Sequence, residues 1–147
     1  VEMSISSPHA VEIAAKHLDE ICCAATAVYP DECCGLLIGS GAGVVSVIEI
    51  RPSANLAADR RIGFAVDPQI QFDALREFRG TSLRVVGHYH SHPNGQARPS
   101  AHDIAMAHEP NAVWMIVPVD RGEVVAPRTF LIHRGGEYSE ISFKVLP

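Results

Sequence analysis

The stretch "GHYHSHPNGQARPSAHD", Gly87 to Asp103, carries four of the chain's eight histidines. Side chains alternate along a strand, so His88, His90 and His92 share one face. Residues two apart lie about 6.5–7 Å from each other at the backbone. Two imidazoles at that spacing can converge on one ion where the strand bends at Pro93. Asn94–Gly95 makes a turn, and residues 96–99 lead back to a helix start at Ser100. Ser100 and Asp103, three apart, lie on one helix face. Two histidines and one aspartate leave a fourth position open for water, the arrangement of catalytic rather than structural zinc.

Plainer readings apply to each half. Ser-x-x-Asp before an apolar run is also a capping arrangement, and His-x-His alone is a weak metal signal. The turn that folds one half towards the other joins them. Capping and liganding are also compatible, since backbone N–H groups can fix the orientation of a ligating carboxylate.

The flanking segments supply a frame. Upstream, the pattern predicts a short strand from Val11 to Ile13 and a helix from Ala14 to Tyr29. Leu18, Ile21, Cys22, Ala25 and Val28 fall on one stripe of that helix, and Pro30 ends it. Residues 33–40 and 44–51 read as an antiparallel hairpin about the glycines at 39, 41 and 43. Residues 52–63 form a polar loop and 64–66 a brief extended piece. Asp67 caps a helix that has Pro68 at its first position and Gly80 at its close. Strands follow at 82–90 and 112–119, with a short helix at 100–109 between them. Two more strands flank Gly135–Gly136 within 127–146. Mixed strands with three helices predict an α/β (α+β) domain, a mixed β-sheet flanked by helices.

The totals narrow the function classes. A chain of 147 residues reads as one domain, 1–147. A net charge of −5 without a basic run excludes a nucleic-acid footprint. No apolar stretch reaches the ~20 residues of a membrane span. The start "VEMSISSPHA" has no basic start or apolar run of a signal peptide. Cys22–Cys23 and Cys33–Cys34 read as reduced thiols of a cytoplasmic protein; a four-thiolate zinc site would need CxxC-like knuckles that are absent.

A metal hydrolase also needs a general base beside the open position. Glu32, in "YPDECCGLLIG", sits between a helix end and a buried strand, where packing does not require a carboxylate. Asp31 beside it serves as the comparison, a solvated loop acid.

Taken together, "HSHPNGQARPSAHD" and "PDECCGLLIG" resemble the two motif segments of the JAMM (MPN-plus) metalloprotease family, over roughly Val11 to Leu131. The resemblance implies a three-layer fold similar to that of cytidine deaminases. It implies Zn²⁺ held by His90, His92 and Asp103. It implies that Glu32 takes a proton from water and passes it to the leaving amine, and that Ser100 hydrogen-bonds the developing oxyanion. His88 is expected to pack or to support the ligands, His102 to face solvent, and Trp114 and Cys34 to pack in the core.

The same resemblance implies a peptidase or isopeptidase of the compact prokaryotic kind. Its expected substrate is a ubiquitin-like or sulfur-carrier protein with a Gly-Gly tail. Glycine suits a narrow groove because its backbone can approach closely. Such a tail could add a strand to a sheet edge, with the loop 52–63 as the contact and Arg60 and Arg61 facing an acidic partner. Two alternatives stand beside this: a deaminase acting on a small molecule, whose His-x-Glu and Pro-Cys-x-x-Cys signature is missing here, and a non-catalytic protein-binding module of the MPN type.

Overall fold

Branched and aromatic runs become strands, and the stripes of apolar residues between them become helices. The structure, a computed structural model, describes residues 7–147. The reading of the N-terminal stretch rests partly on residues 1–6, which lie outside the described residues. In chain order the elements are β1 (Ala10–Ala14), α1 (Ala15–Val28), β2 (Cys34–Ser40), β3 (Val44–Ser53), α2 (Pro68–Phe78), β4 (Arg84–His92), α3 (Ala101–Met106), β5 (Val113–Asp120), β6 (Glu123–Val124), β7 (Arg128–Ile132) and β8 (Tyr138–Leu146). The expected elements are present. β6 is an addition: it pairs with the end of β5 across a two-residue turn in which Arg121 and Gly122 both have positive φ. An arginine in the first turn position hides a hairpin that Asn-Gly would announce.

The strands form one mixed sheet in the order β4-β2-β3-β1-β8-β7-β5-β6, and β4 also pairs with β5. That extra pairing closes a seven-strand ring, with β6 attached outside it. Each strand of the ring therefore has a strand neighbour on both sides over part of its length. The loop after β3 carries an isolated bridge between Asn55 and Val66.

Alternation assigns the two faces of the sheet. In β2, Leu37 packs in a cluster with Ile21 and Ala25 of α1, while Leu36 and Ile38 pack with Ala74 of α2. In β5, Met115 and Val117 join the α1 side, while Trp114 and Ile116 pack with Phe64 and with Ile104 of α3. Strands buried on both faces read as unbroken apolar runs, and each such side chain contributes about 1.5–3 kcal/mol on burial. The result is α1 on one side of the sheet and α2 and α3 on the other. The burying face of α1 ends at Ala25; Val28, expected on the same stripe, is 42 % exposed.

β4 and β5 run parallel, and parallel neighbours need a long crossover. Residues 93–112 make it and carry α3. Ser100 and Asp103 are thereby returned to the end of β4 from which His90 and His92 project. The two strands meet so closely that a Cβ at Gly87 would run into the Val113 backbone. All four cysteines are free thiols. Burial pushes the Cys34 thiol up to about 12, which makes it a packing group. Among the described residues, no helix is long and apolar enough to cross a membrane.

Candidate metal centre

β4 is paired on both flanks, and its alternation sends His90 and His92 into the layer beneath α3. Both rings are buried, as are the Asp103 and Glu32 side chains. His90 Nε2 and His92 Nε2 are 3.0 Å apart, and Asp103 Oδ2 lies 3.1 Å from the first and 3.0 Å from the second. Three donor atoms thus form a near-equilateral triangle. Tetrahedral zinc with bonds of about 2.0–2.1 Å spaces its ligands about 3.3 Å apart, so the set fits such an ion with little adjustment. His92 Nδ1 donates to the Gln96 carbonyl oxygen at 2.9 Å. In the neutral ring this leaves the Nε2 lone pair facing the triangle, the tautomer a metal requires.

Asp103 is aimed by the cap of α3. The Asp103 N–H donates to Ser100 Oγ at 3.0 Å, and the Ser100 N–H donates to Asp103 Oδ2 at 2.9 Å. Capping and convergence on the histidines therefore occur in the same residues. Accepting at Oγ leaves the Ser100 hydroxyl proton available for donation.

Glu32 offers its carboxylate within 4.8 Å of the facing nitrogens of His90 and His92. Its Oε1 is buried and has no hydrogen-bond partner. Burial pushes the carboxyl up to about 8, against the pull of His92 and with the added push of Asp103. Its backbone is fixed: the N–H donates to the Arg60 carbonyl at 2.6 Å, and its own carbonyl accepts from Asn55 Nδ2 at 3.0 Å. Asp31, by contrast, pairs at the surface with Arg60 at 3.4 Å.

Charge in the cluster is balanced unevenly. Burial holds His90 below its ordinary value despite the Asp103 hydrogen bond. At His92 burial also acts against a proton, but the hydrogen bond and charge of Asp103 outweigh it. Burial would raise Asp103, yet its hydrogen bonds to the two rings keep it well below the usual carboxylate range. Metal-free, the cluster favours a positive charge beside Asp103, which is what a bound cation supplies.

A cleft of about 510 Å³ opens beside Glu32, His92 and Ser100, with Arg61, Ile62, Arg98 and Pro99 among its walls. His88 stands apart from the triangle, edge-on to Trp114 at 4.2 Å between ring centroids. Burial lowers it to about 3, so it is a neutral packing residue. His102 is exposed and Trp114 is buried, as expected. Three contributors escaped the sequence reading. Gln96 acts through its carbonyl, which no side-chain pattern reveals. Asn55 organises the loop behind Glu32. Phe64, read as part of a short extended piece, stacks on His90 at 4.2 Å.

The family model for prokaryotic homologues of the JAB domain matches residues 14–132, a span that includes Glu32, His90, His92, Ser100 and Asp103. The chain belongs to this family. It is 33 % identical over 116 residues to the desampylase of Haloferax volcanii, covering 79 % of each chain. It is 31 % identical over 100 residues to a Thermus thermophilus protein described as a probable TtuB-protein conjugate cleaving protease, covering 68 % of this chain and 64 % of that one. The solution structure of a protein from Desulfitobacterium hafniense superimposes with a TM-score of 0.79 at 30 % identity, covering 92 % of each chain.

Proposed function

We propose that this JAB-family chain is a zinc-dependent peptidase or isopeptidase, with residues 1–147 acting as one catalytic domain. Its substrate in this reading is an amide formed by the C-terminal Gly-Gly of a ubiquitin-like or sulfur-carrier protein. One observation carries the proposal: a buried, unpartnered Glu32 carboxylate stands beside a triangle of two imidazoles and a carboxylate. A purely structural zinc site closes the fourth position with protein and needs no such acid. The names of the Haloferax and Thermus relatives support a conjugate as substrate.

His90, His92 and Asp103 would hold the ion through Nε2, Nε2 and Oδ2. When bound, zinc supplies Lewis acidity, polarising water and the scissile carbonyl. Glu32 Oε1 accepts the proton that water gives up and returns it to the leaving amine, a role worth about 10²–10⁴-fold. The Ser100 hydroxyl donates to the carbonyl oxygen as charge develops there, worth on the order of 10²–10³-fold. The walls at Ile62 and Pro99 favour a tail without side chains. Arg61 and Arg98 meet acidic groups on the proteins joined by the bond.

The test is direct. Wild-type protein should carry about one zinc per chain and release a Gly-Gly-linked fusion partner. Glu32→Gln should keep the zinc and lose cleavage. Turnover by that variant equal to wild type would remove Glu32 as the base. Ammonia released from cytidine, with no cleavage of the fusion, would replace the proposal with the deaminase reading. Metal without either activity would leave a binding module.

A further inference from the structure

We infer that Phe64 is a positioning residue for the metal centre: by stacking on His90 it takes the place of the hydrogen bond that this ring lacks. The inference rests on the reading of His90 as a ligand. The two histidines of the triangle are held differently. His92 is anchored through Nδ1 to the Gln96 carbonyl. His90 Nδ1 is buried and has no hydrogen-bond partner. A metal-binding histidine almost always ties its second ring nitrogen to a carboxylate, a carbonyl or water, which fixes the plane of the ring. Without that tie the imidazole can swing about its last torsion, which is broad and soft.

Rings supply the missing constraint. Phe64 lies face to face with His90, with centroids 4.2 Å apart and planes 18° from parallel. Trp114 meets the same ring edge-on at 5.8 Å, with planes at 83°. A parallel neighbour and a perpendicular one together restrict His90 to one plane, the plane that carries Nε2 into the triangle. Phe64 is itself braced. The backbone on either side of it is bound to Asn55, through the Gly63 carbonyl and the Ala65 N–H, each at 3.0 Å. Its ring also meets Trp114 at 6.1 Å and 80°. An anchor of this kind orients the ligand without raising its basicity, as a hydrogen-bonded carboxylate would. The two imidazoles are then unequal donors, with His90 the weaker.

The experiment measures zinc affinity of the full chain by competition with a chromophoric chelator, alongside the visible spectrum of the cobalt-substituted protein. Wild type is compared with Phe64→Ala, Phe64→Leu, Phe64→Tyr and the control Leu75→Ala. Leu75 lines the same neighbouring cavity as Phe64 but takes no part in the ring cluster. Phe64→Ala and Phe64→Leu should weaken zinc binding by about 10–100-fold, the usual cost of losing a ligand's support, and should alter the cobalt spectrum. Phe64→Tyr should restore both to near wild type, and Leu75→Ala should change neither. Phe64→Leu keeps apolar volume, so it separates stacking from core filling and remains informative if the alanine variant fails to fold. Wild-type affinity and an unchanged spectrum in Phe64→Leu would overturn the inference while leaving the metal centre standing. A loss in Leu75→Ala as large as in Phe64→Leu would also overturn it. Wild type that takes up no metal would overturn the metal-centre reading, and this inference with it.

Discussion

Asn55 donates through Nδ2 to the Glu32 carbonyl oxygen at 3.0 Å, tying the loop after β3 to the residue proposed as the base. Its amide is fully used: Nδ2 also donates to the Gly63 carbonyl, and Oδ1 accepts from the N–H groups of Ala57 and Ala65, all at 3.0 Å. Asn55→Ala should cost about 2–3 kcal/mol in urea denaturation, since several polar groups lose partners together. Turnover should fall by roughly 10–100-fold through misplacement of Glu32, while zinc content is retained. Asn55→Asp keeps the acceptor but not the donors, so it should behave like the alanine variant. A variant with wild-type stability and turnover would show that the loop organises itself.

The raised carboxyl of Glu32 makes a prediction for the metal-free protein. The folded state holds this proton to about pH 8, whereas the unfolded chain releases it near 4.5. Between those values the folded state binds more protons, so the Glu32 contribution falls as pH rises. His88 acts the other way. The folded state keeps it neutral down to about 3, so its contribution grows between there and 6.5 as pH rises. The difference between wild type and Glu32→Gln cancels His88. In the presence of chelator, Glu32→Gln should therefore gain stability over wild type between about pH 5 and pH 8, by a few kcal/mol in all. Zinc should reduce that gain, because a nearby cation favours the carboxylate. Parallel pH profiles for the two metal-free proteins would show that Glu32 is ionised throughout.

Ser100 is proposed to do two jobs that substitution can separate. Ser100→Ala removes the cap of α3, at about 1 kcal/mol, together with the hydroxyl donor, at about 10²–10³-fold in turnover. Ser100→Thr keeps both groups and should retain stability and a good part of the activity. Thermal melts and single-turnover assays distinguish them. An alanine variant that loses stability but not turnover would leave Ser100 as a cap alone.

Arg61 and Arg98 line the cleft beside Glu32, and neither is among the ion pairs of the described residues. Arg98→Glu should raise KM for a protein conjugate with little change in kcat. It should also flatten the dependence of KM on salt, because exposed charges act over roughly a Debye length of 8–10 Å. Equal salt dependence in wild type and variant would place these arginines in solvent.

Much of the proposed site is legible in the sequence because its residues lie on short, regular pieces of chain. His90 and His92 converge through strand alternation alone, and Ser100 and Asp103 lie together through the first turn of a helix. Glu32 was legible as an acid at the mouth of an apolar strand. What the sequence does not carry is long-range pairing. Nothing local in "RVVGHYHSH" or "VWMIVPVD" tells that these two strands join and close the sheet. Backbone donors and acceptors are equally silent, which hid Gln96. Phe64 lies 26 residues before His90, and an aromatic residue in an extended segment looks the same whether it fills a core or steadies a ligand.

Closure of the sheet has a consequence for how the protein breathes. Over Gly87–His90 β4 is bonded on both sides, so its amides there lack a row open to water and can exchange only when neighbouring strands separate. The imidazoles sit on a stave of the cask, and the cask must come apart before they can wander. The loop at 52–63 and the turn at 93–99 lie outside the ring of strands, yet Asn55 ties the first to Glu32 and the Gln96 carbonyl ties the second to His92. They bring Arg61, Ile62 and Arg98 to the cleft beside Glu32, so whatever enters that cleft touches the same segments that hold the acid and one of the imidazoles in place.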